Sequence, residues 1–92
     1  MQVNQSTKAG ERTQIPTWAT IFIAISPYGW GKATTRERAL YCAKKEVPRG
    51  KRLTKDQIKV YAAHPETRMF GYGQWEYPQG ETPTQFQPIL ID

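Results

Sequence analysis

Apolar and polar positions along the chain change rhythm several times, and each change predicts an element. Residues 17–26 (TWATIFIAIS) are rich in β-branched and aromatic side chains. Alternation puts Trp18, Thr20, Phe22 and Ala24 on one side, and Ala19, Ile21, Ile23 and Ile25 on the other. One side is wholly apolar, which predicts a strand over 17–26, central in a sheet. Pro27 ends it, and Pro27 to Gly31 reads as a loop with two glycines. From Thr34 the period becomes helical. Thr34 and Glu37 fit a capping box, and Ala39, Leu40, Ala43 and Val47 form a narrow apolar stripe. Arg38 and Lys45 fall one above the other on the far side. Pro48 and Gly50 close the element.

The next segment carries two signals. Thr54 with Gln57 fits a second capping box, and Leu53 with Ile58 a hydrophobic staple, which favours a short helix ending before Pro65. Ile58, Val60 and Ala62 also alternate, so a strand is the alternative, with 64–67 (HPET) as a hairpin turn. Residues 68–77 (RMFGYGQWEY) read as one strand. Gly71 and Gly73 share a face with Met69, Trp75 and Tyr77, which suggests close approach of a bulky neighbour. From Pro78 the chain is rich in Pro, Gln, Thr and Gly and is expected to run extended. Its end, Ile89-Leu90-Ile91, either docks as an edge strand or stays free. Residues 1–14 are polar and aperiodic, and are expected to form a flexible arm bearing Lys8 and Arg12. The expected fold is a small single α+β domain over 15–92: an antiparallel sheet with one or two helices packed on one face.

Composition adds limits. Ninety-two residues make one domain. A chain this short buries about two-thirds of its unfolded surface, which leaves little room for a deep catalytic pocket. The one cysteine, Cys42, has no internal disulfide partner. With no signal-peptide pattern, the chain reads as cytosolic. The apolar run 19–25 is too short to span a membrane. One Cys and one His do not make a zinc site.

Charge is the strongest compositional signal. Ten of the thirteen Lys and Arg residues lie between Lys32 and Lys59, with only Glu37, Glu46 and Asp56 among them. That block carries a net charge of +7, and the rest of the chain −2. Such segregation attracts phosphate chains and acidic protein surfaces. The candidate contact residues are Lys32, Arg36, Arg38, Lys44, Lys45, Arg49, Lys51, Arg52 and Lys55. Trp30, between two glycines, is a candidate anchor for a stacked base or a protein interface. Tyr28 and Tyr41 also bracket the block. The competing reading is a solvated helix face with Trp30 folded back as a core lid. Trp18 and Trp75 are expected in the core.

No catalytic set emerges. Gly71-Tyr72-Gly73 lacks the helix start and the Lys-Ser/Thr of a phosphate loop. Cys42 and His64 lack a nucleophile elbow and a third partner. Glu66 and Glu76 have no evident acid–base mate. An enzyme, a resident cofactor and a small-molecule substrate are therefore not expected.

The stretches TWATIFIAISPYGWGKATTRERALYCAKKEVPRGK (17–51) and EYPQGETPTQFQPILID (76–92) resemble a phage-encoded anti-CRISPR protein of the type I-F class. The resemblance implies a stoichiometric, non-enzymatic inhibitor in the host bacterial cytoplasm. Its partners would be Cas proteins of a type I-F surveillance complex, with crRNA as a further contact. The inhibitor would keep the complex from engaging target DNA. A cationic block fits a path for nucleic acid better than it fits mimicry of DNA. The alternative is an autonomous phage nucleic-acid-binding protein, with steeply salt-dependent affinity.

Overall fold

A computed structural model describes residues 14–71 and 74–91. The elements run β1 (Ile21–Ser26), β2 (Gly29–Ala33), α1 (Arg36–Lys44), β3 (Lys59–Ala63), β4 (Arg68–Gly71), β5 (Gln74–Tyr77), β6 (Gly80–Glu81) and β7 (Ile89–Leu90). Two 3₁₀ turns, Lys55–Gln57 and Thr84–Phe86, interrupt the connections. Strands β2-β1-β3-β7 form an antiparallel four-stranded sheet, and β4-β5-β6 a small antiparallel three-stranded one. This is the expected α+β fold, with one α-helix on one face of the larger sheet. The arm expected over 1–14 lies outside the described residues except for Gln14.

Strand β1 is central, as its two apolar faces require. Ala24 on one face packs with Ala39, Ala43 and Val60, bordered by Phe22, Leu40, Ile58 and Ile91. Ile21 and Ile23 on the other pack with Ala63, bordered by Ile25, Met69 and Trp75 of the small sheet. The helix thus covers one side of β1 and the small sheet the other. The strand begins later than expected. Residues 17–20 are not strand, because Ala19 N–H bonds the Pro16 carbonyl (3.0 Å) and closes a turn. That turn sets Trp18 edge-on against Phe86, centroids 5.4 Å apart.

Residues 29–33, expected to begin as loop, form strand β2. Ser26 faces Gly29 across a tight hairpin, and Ser26 Oγ accepts from the backbone N–H of Tyr28 and Gly29 (3.2 Å each). Gly29 and Gly31 are buried under the helix side. A Cβ at Gly31 would stand 2.5 Å from the Ala39 carbonyl and from Cys42 Cβ. Close approach by a neighbour, expected at Gly71, therefore occurs here; a Cβ at Gly71 would meet nothing nearer than 3.7 Å. With Ala39 and Ala43 fully buried, small residues on both sides bring α1 down onto the sheet.

The helix start shifts by one residue. Thr35, not Thr34, is the N-cap, and its Oγ1 accepts from Arg38 N–H at 3.1 Å. A second correction concerns 54–64. Gln57 Oε1 does accept from Thr54 N–H (2.9 Å), as a capping box requires. The turn nevertheless stops at Gln57, and 59–63 pair with β1 as β3. The alternating Val60 and Ala62 are buried there, and pairing to β1 outweighs the local helix signal. The turn at 64–67 exists, with Thr67 N–H bonding the His64 carbonyl (3.0 Å), but it hands the chain from one sheet to the other. Residues 68–77 are likewise a hairpin rather than one strand, with Met69 opposite Trp75. Tyr72 and Gly73 lie outside the described residues. The tail forms β6 and a 3₁₀ turn, and docks on β3 through β7, with Leu90 opposite Tyr61.

Among the described residues no helix is long and apolar enough to cross a membrane.

Candidate partner-binding surface

The position of α1 creates the main surface feature. Four strands about 4.8 Å apart are wider than one helix of about 10 Å diameter. α1 packs chiefly on β2 and β1 and barely reaches β3. The uncovered helix-side face of β3 is bordered by the incoming segment 53–58. What remains is a cavity of about 450 Å³ lined by Leu40, Leu53, Ile58 and Val60, with Arg36, Lys44 and Lys55 around it. Its apolar part comes from the sheet and the flank of α1. Its cations come from two chain segments that the fold brings together.

Arg36 and Lys44 project beside Leu40 because positions i, i+4 and i+8 stack along a helix. Arg36 also sits 4.0 Å from Glu37, an exposed contact that contributes little. On the Thr54–Ile58 side, the Thr54 hydroxyl donates to Asp56 Oδ1 at 2.7 Å. That bond, the Asp56 backbone N–H and Lys59 hold the Asp56 carboxyl below its usual value. The 3₁₀ turn bearing Lys55 is thereby fixed by hydrogen bonds at both ends.

The crest of α1 is a second cationic feature. Tyr41 is 58 % exposed. Arg38 Cζ lies 6.0 Å and Lys45 Nζ 5.6 Å from its ring centroid. The pair expected one above the other therefore clasps an aromatic ring by cation–π attraction. Arg49, Lys51 and Arg52 are exposed on the segment that leaves the helix.

Trp30 and Lys32 stand apart from these groups. Alternation along β2 sends them to the face opposite α1, since Gly29 and Gly31 face the helix. Lys32 Nζ donates to the Thr67 carbonyl at 3.0 Å, so its ammonium ties β2 to the turn between the sheets. Trp30 is 43 % exposed and does not fold back as a lid. It lines a shallow cavity with Gly29, Glu46 and Gly71. The ten candidates thus divide: eight belong to the helix and the segment following it, and two to the opposite face.

Cys42 and His64, two of the residues considered for catalysis, pack against neighbours. Cys42 is half-buried on the helix flank above Gly31. His64 lies in an aromatic cluster, 4.7 Å from Phe86 and 5.0 Å from Tyr77 between centroids. Its Nδ1 accepts from Glu66 N–H at 3.1 Å, so the neutral ring carries its proton on Nε2, 3.1 Å from the Tyr77 hydroxyl. Burial, and then the nearby Glu66 carboxylate, push the Tyr77 phenol above its usual value. Trp75 packs edge-on against Tyr61, centroids 5.1 Å apart. Among the described residues no group of three His, Cys, Asp or Glu side chains is placed to hold a metal ion.

Sequence reasoning missed the apolar half of the groove. Leu53, alone in a basic loop and five residues before Ile58, was its available signal. No protein-family model, curated protein or solved structure matches this chain.

Proposed function

We propose that this protein is a non-catalytic inhibitor that docks on a crRNA-guided type I-F surveillance complex in the host bacterial cytoplasm and blocks its engagement of target DNA. The observation that carries the reading is the groove in which Arg36, Lys44 and Lys55 surround Leu40, Leu53, Ile58 and Val60. A phosphate chain alone needs cations and no apolar floor. A floor of four aliphatic residues suits a protein surface, and the cations select one that is acidic or bears RNA. The resemblance of 17–51 and 76–92 to type I-F anti-CRISPR proteins supplies the specific partner, Cas proteins together with crRNA. The adjoining Arg49, Lys51 and Arg52, and the clasped Tyr41, extend the cationic surface along the helix.

The test is target-DNA binding by purified type I-F complex, with and without this protein. Wild type is expected to abolish target binding and to leave naked crRNA and naked DNA unshifted. The pair Lys44→Glu and Lys55→Glu is expected to restore target binding by at least about tenfold, with circular dichroism unchanged. Undiminished target binding with wild type, alongside a salt-sensitive shift of naked nucleic acid, would instead assign the surface to an autonomous nucleic-acid binder.

A further inference from the structure

The larger sheet ends in β2, which pairs with β1 alone among the described residues. Its register fixes which main-chain groups face outward. Ser26 and Gly29 close the hairpin over Pro27 and Tyr28, so that pair exchanges hydrogen bonds, and the bonded pairs recur at Ala24–Gly31 and Phe22–Ala33. Gly29, Gly31 and Ala33 therefore turn their N–H and C=O groups to β1. Trp30 and Lys32 turn theirs away from the sheet, and both residues are exposed. Among the described residues no loop or side chain bonds these outward groups. Folded proteins guard an edge with a bulge, a very short strand or an extended lysine. Strand β2 runs five residues without a register shift. Its lysine is drawn aside, since Lys32 Nζ donates to the Thr67 carbonyl at 3.0 Å. The opposite edge strand, β7, is only two residues long.

Two different walls flank this edge. On the helix side, Cys42 stands over Gly31. Arg38, Cys42 and Lys45 follow the i, i+4, i+7 spacing of one helix flank, so the two cations overhang the edge with Cys42. The flank that bears Arg36, Leu40 and Lys44 looks the other way, over β3. Glu46 stands at the hairpin end, over Gly29, and leaves the middle of the strand to the cations. On the far side, Trp30 borders a cavity of about 430 Å³ with Gly29, Glu46 and Gly71.

We infer that the β2 edge takes an extended segment of a partner protein as a further strand, with an acidic side chain beside Gly31 and apolar side chains beside Trp30 and Lys32. Main-chain bonds to Trp30 and Lys32 hold such a segment in place. Alternation then sends the residue opposite Gly31 to the helix side, where Arg38 and Lys45 select a carboxylate. Its neighbours fall on the far side, against the Trp30 ring and the aliphatic stem of Lys32. A nucleic acid has no peptide groups to offer the edge. A second copy paired antiparallel through β2 would set Arg38 and Lys45 against the same cations across the symmetry axis, in a chain of net charge +5. The inference uses none of the groove residues, and it stands whether or not the proposed inhibitory role holds.

The test is amide hydrogen exchange and chemical shift on the ¹⁵N-labelled full chain, with the peptide acetyl-Val-Glu-Val-Glu-Val-amide as probe. Without the probe, and relative to their intrinsic rates, the Trp30 and Lys32 amides are expected to exchange at least about tenfold faster than that of Gly31. Comparable protection of all three would overturn the open edge. Protection that grows with protein concentration would replace the partner segment with a second copy of this chain. The probe is expected to shift and protect the Trp30 and Lys32 amides, with saturation at roughly millimolar concentration. No change at these amides would overturn the site. N-methylation of the probe's valines removes the donors that meet the edge and is expected to abolish the effect. Undiminished binding of the methylated peptide would overturn strand pairing. Lysine in place of the probe's glutamates is expected to weaken binding at least about fivefold, and the double variant Arg38→Glu, Lys45→Glu, at exposed positions, to reverse that preference. Equal binding of both peptides to wild type would overturn the acidic partner.

Discussion

A methyl group at Gly31 would stand 2.5 Å from the Ala39 carbonyl and 2.6 Å from the Ala43 amide nitrogen. Both are backbone atoms of α1, so relief requires moving the whole helix. At Gly29 the nearest atoms belong to the Glu46 side chain, on an exposed residue beyond the helix end. Gly31→Ala is therefore expected to lower stability by about 1–3 kcal/mol, the usual cost of overpacking a tight core contact, and Gly29→Ala by less. Urea unfolding of the two variants measures the difference. Equal midpoints would mean that α1 does not rest on β2 at this closeness. The same contact explains why this strand is hidden in the sequence. Its glycines lower strand propensity, and the reason for them is a helix that begins five residues later. Trp30, between them, keeps the exposure that its neighbours suggest, but on the face away from the basic groups.

At the scale of elements, the start of α1 rests on one threonine. The Thr35 side chain accepts from Arg38 N–H. Thr35→Ala is expected to cost about 1 kcal/mol and Thr34→Ala a few tenths at most. Thermal or urea unfolding separates the two, and the reverse order would return the cap to Thr34. Capping signals were legible here, but with limited reach. Thr34 and Thr35 are adjacent, and only the backbone path out of β2 decides between them. The Thr54–Gln57 pair forms its bond, yet the helix it announces lasts three residues. Val60 and Ala62 are worth more buried beside β1 than a longer helix would be. The hairpin at 68–77 was hidden for a related reason: the apolar alternation runs through Gly71-Tyr72-Gly73, and the break shows only as glycine. The run Ile21 to Ile25 needed no tertiary information, because both of its faces are apolar and only a central strand buries both. Basic residues were legible as a cluster, but not as a groove. A groove requires residues 36–44 and 53–60 to meet across β3, which is set by the width of the sheet.

For the whole molecule, the decisive point is that β1 is shared. The domain is flat, with principal extents of 45 × 36 × 18 Å. Ala24 faces the helix layer, while Ile21 and Ile23 face the small sheet. Each outer layer rests apolar side chains on this one strand. The three-stranded sheet has strands of two to four residues and packs Met69 and Trp75 against β1 and β3. A sheet that small is at best marginal alone. The helix layer with its cationic groove and the small sheet therefore belong to one cooperative unit. Unfolding is expected to be two-state, with tryptophan fluorescence and far-ultraviolet circular dichroism giving coincident transitions in urea. The single-tryptophan variant that keeps only Trp75 makes the measurement sharper, because its fluorescence then reports the small sheet alone. A Trp75 transition at lower urea than the far-ultraviolet signal would show that the small sheet detaches first. The Lys32–Thr67 bond and the packing of Met69 and Trp75 on β1 and β3 would then be too weak to couple the two layers, and each sheet would have to be treated as its own unfolding unit.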